Sequence, residues 1–135
     1  MDLDRALAIS ASGMAAQSAR LRVVAENIAN RDSTGQTPGA EPYRRKTVTF
    51  AAQLDRAVGA ETVRVARVGR DAGELPQRFE PSHPAADANG YVRTPNVDSL
   101  VENMDMREAN RSYAANLAVL ETTRGMLARA IEALR

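Results

Sequence analysis

The 135 residues make one domain's worth of chain, enough for a modest core, though aromatics at 4% and the absence of Trp exclude a core built around rings. A net charge of +1 gives no general pull toward nucleic acid or membrane, and the lack of Cys excludes disulfides, thiolate metal sites and thiol nucleophiles. The sequence opens Met-Asp-Leu-Asp without a basic segment and an unbroken apolar run, and no stretch approaches the roughly 18 apolar residues of a membrane span; taken alone, this points to the cytoplasm.

The first predicted element is a helix. Leu3, Leu7, Ser10, Met14, Gln17, Leu21, Val24 and Ile28 return at alternate steps of four and three, with Ala6, Ala11, Ala15, Ala16 and Ala19 beside them. Asn27 and Asn30 sit where it should stop, since Asn tolerates the left-handed conformation found past helix ends. Residues 31–42 are turn and loop formers without periodicity. Tyr43 to Phe50 and Thr62 to Val68 alternate as strands, with a short helical turn expected between them over residues 50–58. Glu80 to Pro84 should be extended, because each residue before a proline is biased away from helix. A third strand is expected around Tyr91 and Val92, after the turn dipeptide Asn89-Gly90.

The last element is the longest. Met106, Asn110, Tyr113, Leu117, Leu120, Arg124, Leu127, Ile131 and Leu134 form a second heptad seam, and Ser99 with Glu102 matches a capping box after Pro95. Such a helix would be roughly 55 Å long at the usual rise per residue. The expected fold is mostly α with a small β insertion: an N-terminal helix over 1–30, a loop and irregular β region over 31–96, and a C-terminal helix over 97–135, the two helices pairing as a coiled coil. The seams either close an intramolecular helical hairpin or meet other subunits. Polar or small seam members (Ser10, Gln17, Asn110, Arg124) weaken a lone hairpin and could set register between subunits.

Charge is uneven along the middle of the chain. Residues 42–70 hold seven Lys or Arg against two acids, while residues 71–110 hold eight acids against three Arg. Two opposed faces would suit head-to-tail association of like subunits; the bland alternative is a solvated surface. Arg44-Arg45-Lys46 is a weak phosphate-binding signal without any nucleic-acid motif. Enzyme signatures are missing as well: the single His83 lies between Ser82 and Pro84, and there is no phosphate loop, nucleophile elbow or His-Glu-x-x-His. No catalytic residue, metal site or cofactor is expected, and neither nucleic acid nor a small-molecule substrate.

Several strings together resemble one family. Ala25-Glu26-Asn27-Ile28-Ala29-Asn30, then Ser33-Thr34-Gly35 and Pro42-Tyr43-Arg44-Arg45-Lys46, are similar to the N-terminal signature of bacterial flagellar rod, hook and hook-associated proteins. His83 to Val92, Pro95-Asn96-Val97-Asp98, Met106 with Ala109, Arg111-Ser112-Tyr113 and Ala115-Asn116 narrow the resemblance to the proximal-rod branch, across nearly the whole chain. One departure is Arg107-Glu108 beside Met106, where related chains often carry an apolar residue.

The resemblance implies a structural, non-enzymatic subunit. It would be exported by the flagellar type III apparatus without a cleaved signal peptide and polymerise into the periplasmic rod that transmits torque and conducts exported subunits. This replaces the cytoplasmic expectation; the alternative from another class is a cytosolic helical adaptor. Expected partners are other copies, other proximal and distal rod proteins, and the base of the membrane ring or export gate. The expected assembly interface is Leu7, Met14, Leu21, Val24, Ile28, Met106, Tyr113, Leu117, Leu120, Leu127, Ile131 and Leu134. Asn27, Asn30, Tyr43, Arg44, Pro95, Asn96 and Asn116 carry the family motif.

Overall fold

A computed structural model describes residues 2–135. The order is α1 (Asp2–Ala29), β1 (Lys46–Asp55), β2 (Ala60–Arg70), β3 (Gln77–Phe79), β4 (Tyr91–Arg93) and α2 (Ser99–Ala133). Two long helices stand at the ends of the chain with a small antiparallel strand region between them in the sequence, as the periodicities predict. No helix among the described residues is long and apolar enough to cross a membrane.

The chain divides into two compact units. The first contains α1 through Leu21, Val48–Arg67 and Arg107–Arg135. Here α1 and α2 run antiparallel: Gly13 faces Asn116, and Arg20 pairs with Glu108 at 3.7 Å. A Cβ at Gly13 would lie 3.0 Å from Asn116 Nδ2, so the absent side chain lets the helices approach. The β1–β2 hairpin is tied to α1 at two places. Arg5 Nε donates to Val58 O at 3.1 Å, and Ser12 Oγ accepts from Val63 N at 3.1 Å.

Residues 50–58 do not form the expected helical turn. Ala51 to Asp55 extend β1, and their pairing with β2 prevails over the helix propensity of Ala-Ala-Gln-Leu. The ladder closes where Asp55 O accepts from Gly59 N at 2.7 Å and Asp55 Oδ1 from Ala57 N at 3.0 Å. Gly59 adopts φ +70°, which a side chain would strain.

The second unit holds Arg22–Thr47 and Val68–Met106. Its apolar centre is Val92, fully buried, with Ala85, Val23 and Val24. Strand β4 lies where Tyr91 and Val92 predict it, paired with β3 in the register Gln77 to Arg93, Arg78 to Val92 and Phe79 to Tyr91. Asn89-Gly90 closes a loop rather than a two-residue hairpin: Asp87 O accepts from Gly90 N, and Asp87 Oδ1 from Asn89 N and Tyr91 N. His83 folds the same loop, its Nδ1 accepting from Ala85 N at 2.9 Å and its Nε2 3.1 Å from Thr34 Oγ1.

Both helix ends in this unit differ in detail from expectation. Asn30 stops α1 through its side chain, Nδ2 donating to Glu26 O at 2.9 Å; among the described residues none but glycine has positive φ. At α2 the cap is Asp98, whose Oδ1 accepts from Leu100 N at 2.9 Å. The Ser99–Glu102 capping box does not form, because Glu102 turns inward and is fully buried.

Candidate assembly interface

The inward turn of Glu102 has its cause in Arg45. The Arg45 Nε donates to Glu102 Oε1, and the same guanidinium reaches Asp105 at 3.2 Å and Asp71 at 3.9 Å. The hydrogen bond to Glu102, supported by the neighbouring carboxylates, raises the Arg45 pKa above its ordinary value. The other carboxylate oxygen, Oε2, accepts from Asn27 Nδ2 at 3.2 Å.

Asn27 is 1% exposed and is saturated. Its Nδ2 also donates to Lys46 O at 2.9 Å, and its Oδ1 accepts from Tyr43 Oη at 2.7 Å and Lys46 N at 2.8 Å. Both amide protons and both lone pairs have partners, the full capacity of the side chain. Around this centre, Lys46 Nζ pairs with Glu26 at 2.8 Å, and that hydrogen bond raises the lysine pKa. Burial raises the Tyr43 pKa. Asn96 Oδ1 accepts from Arg45 N at 2.8 Å, and Arg44 donates to Asp71 O and Gly73 O.

The motif residues Asn27, Tyr43, Arg44 and Asn96 thus converge on one locked cluster that joins the end of α1, the start of β1 and the first turn of α2. Pro95 is buried beside it, while Asn30 acts as the helix stop. Asn116 stands apart in the first unit, against Gly13, its Nδ2 donating to Ser112 O at 3.0 Å.

The cluster also answers the charge pattern. Arg45 and Lys46 meet their opposite charges inside the chain, at Asp71, Glu102, Asp105 and Glu26. These two cations are therefore not a face waiting for a like subunit.

On α1 the expected seam follows the packed side: Leu7, Met14, Leu21 and Ile28 are half-buried, and Ser10 and Val24 are buried. Gln17 Oε1 is buried there without a hydrogen-bond partner. On α2, Met106, Tyr113, Leu120 and Leu127 are half-buried as expected. The intervening members are displaced by one residue. Ala109, Asn116 and Thr123 face inward, whereas Asn110, Leu117 and Arg124 are exposed. Both phases share Met106, Tyr113, Leu120 and Leu127; small side chains at the alternate positions suit the close approach at Gly13 better than Leu117 or Arg124 would. Ile131 and Leu134 are exposed.

Glu102, Asp105, Asp71 and Gly13 were not singled out for these roles by sequence reasoning. A signal for Glu102 existed, since it stands four residues before Met106 in the same phase as Ala109, Tyr113 and Asn116. Among the described residues, no group of three or more His, Cys, Asp or Glu could hold a metal ion.

Comparison with known proteins bears on this arrangement. The flagellar basal-body rod protein FlgC of Agrobacterium fabrum is 54% identical over 133 residues, covering 98% of this chain and 96% of its own. The chain belongs to the FlgC family. FlgC of Salmonella typhimurium is 48% identical over 122 residues, 88% of each chain, and FlgC of Bacillus subtilis 37% over 141, covering 93% and 94%. Residues 7–35 match the family model for flagella basal body rod proteins, and residues 88–133 that for the flagellar basal body rod FlgEFG protein C-terminal. The two matches thus include most of α1 and α2, with Asn27, Asn96, Glu102 and Asn116 inside them.

Proposed function

We propose that this FlgC-family chain is a structural subunit of the proximal rod of the flagellar basal body, held to its neighbours by faces of its terminal helices that its own fold leaves uncovered. The supporting observation is the exposed apolar side of α2. Val119 and Met126, seven residues apart on one face, are each 50% exposed, and Ile131 is 54% and Leu134 87% exposed farther along the helix, while the inward stripe is already filled. Apolar groups repeated along a helix and left in water gain most from burial against other helices. Many such contacts, repeated in every copy, let a tube carry torque without slipping, and no reaction is required of the subunit.

In this reading the chain leaves the cytoplasm through the flagellar exporter without a cleaved signal peptide and assembles in the periplasm with other copies and other rod proteins. The test is a pair of variants on the exposed side of α2. Val119→Asp/Met126→Asp leaves the isolated chain folded, because neither residue is on the packed stripe, yet prevents rod formation by leaving carboxylates without partners in a buried contact. Glu121→Gln is the control and should assemble. Rods recovered at normal yield from the double variant would overturn the assignment, as would export that persists in cells lacking the flagellar exporter.

A further inference from the structure

The fold divides the triplet Arg44-Arg45-Lys46. Alternate side chains of the segment entering β1 point to opposite sides, so Arg45 turns to Glu102 while Arg44 and Lys46 line a separate cleft, joined there by Arg70 from the end of β2. The two strands meet at this end of the ladder, where Asp71 N donates to Arg45 O at 2.8 Å. Glu41, Pro42 and Tyr43 complete the cleft, whose volume is about 220 Å³. All six residues belong to the second compact unit.

The chain answers these three cations only in part. Lys46 Nζ gives one proton to Glu26 and keeps two. Arg44 is anchored by its Nη1, which donates to Asp71 O and Gly73 O, while its Nη2 stands 3.6 Å from Glu41, beyond hydrogen-bonding length. Glu41 is the one carboxylate lining the cleft, and it is shared with Arg93 at 3.8 Å. Arg70 has neither an ion pair nor a hydrogen bond among the described residues. Arg22, Arg107 and Arg111 are also exposed without partners; what sets Arg70 apart is a cleft shared with two further cations. The hydrogen bond to Glu26 raises the Lys46 pKa and burial raises that of Tyr43, and the charge of Arg70 opposes both. Like charges brought together in this way destabilise the strand pair that carries them.

We propose that the cleft binds a small, doubly charged oxyanion of the phosphate or sulfate class, held among Arg44, Lys46 and Arg70. Guanidinium forks match such oxyanions in geometry, and the ammonium of Lys46 supplies a compact charge beside them. The volume takes the anion with a few waters and falls below the roughly 300 Å³ at which pockets for larger ligands begin. Tyr43 contributes only its ring, because its hydroxyl already donates to Asn27. A bound anion ties residues 41–44 to the ends of two strands and removes their mutual repulsion. The site goes beyond the rod reading and does not depend on it.

Titration of the purified full-length chain with sodium phosphate, and separately with sodium sulfate, tests the site by calorimetry and thermal unfolding, with ionic strength held constant by sodium chloride. Expected are saturable one-to-one binding and a rise in the unfolding midpoint of about 3 °C or more at saturation, neither of which chloride produces. Arg70→Gln should weaken binding by about tenfold or more. Because Arg70 has no partner within the chain, the same variant keeps or raises the midpoint in chloride, which separates a lost ligand from a lost fold. Arg70→Lys retains part of the affinity, and Arg67→Gln, an exposed arginine on the same strand outside the cleft, binds as the parent does. Absence of saturable binding, equal stabilisation by chloride, or equal weakening by Arg67→Gln overturns the proposal. A midpoint that falls in chloride on Arg70→Gln shows that Arg70 serves the fold itself, and overturns it too.

Discussion

Asn27 has no spare hydrogen-bonding capacity, and its replacement strands several groups at once. Asn27→Ala leaves Glu102 Oε2, Lys46 N and O and the Tyr43 hydroxyl each short of a partner, so thermal unfolding should report a loss of about 3 kcal/mol. Gln17 is the opposite case: its buried Oε1 is unpaired, and Gln17→Met should stabilise the isolated chain by about 1 kcal/mol in denaturant unfolding. The same cluster fixes a pH dependence. Burial raises Tyr43 above its ordinary 10.0, and the bond to Glu26 raises Lys46 above 10.5, so both hold their protons longer when folded. Their contribution is complete below the unfolded values and is lost as pH rises through the folded ones; the unfolding midpoint should begin to fall above about pH 10. Tyr43→Phe should remove part of that slope. Sequence strings picked out Asn27, Tyr43 and Asn96, but their meeting with Glu102 depends on a contact 75 residues away, which no local pattern encodes.

For the helices, periodicity revealed both elements and almost all of the α1 stripe, yet left the α2 stripe ambiguous by one residue at every second position. Hydropathy favours Leu117 over Asn116; Gly13 on the facing helix decides for Asn116, because two helices that approach closely need small or flat partners. The pair gives a sign-reversing prediction. Gly13→Ala gains about 1 kcal/mol of helix propensity but places its Cβ 3.0 Å from an amide already held by Ser112 O, so net destabilisation is expected in the parent. In an Asn116→Ala background the same change should stabilise, and a double-mutant cycle by denaturant unfolding measures the coupling. The strand region was legible at Val48, Phe50 and Val92, while Asn89-Gly90 marked a turn but not the longer loop it closes. It was illegible at residues 51–55 and in β3, where nonlocal pairing rather than residue preference forms the strand.

At the scale of the molecule, terminal helices with a small β region between them in the sequence could be inferred from the order of periodicities, but charge counting could not tell which charges pair within the chain. The +5 and −5 stretches suggested two faces for like subunits, whereas Arg45 collects three of those acids within its own chain. Amide exchange on the isolated chain should therefore show its strongest protection around Asn27, Lys46 and Glu102, and the least over residues 128–135, which are exposed throughout. The saturated amide of Asn27 also sets an order of events in time. A chain emerging N-terminus first, from a ribosome or through a narrow conduit, presents Asn27, Tyr43 and Lys46 long before Glu102, and closing so long a loop is slow. Until the first turn of α2 arrives, the end of α1 lacks the carboxylate that completes its site, and the polypeptide stays pliant enough to travel extended. The same bond that fastens the finished molecule is thus unavailable during transit, and locking waits for the late-arriving half of the chain.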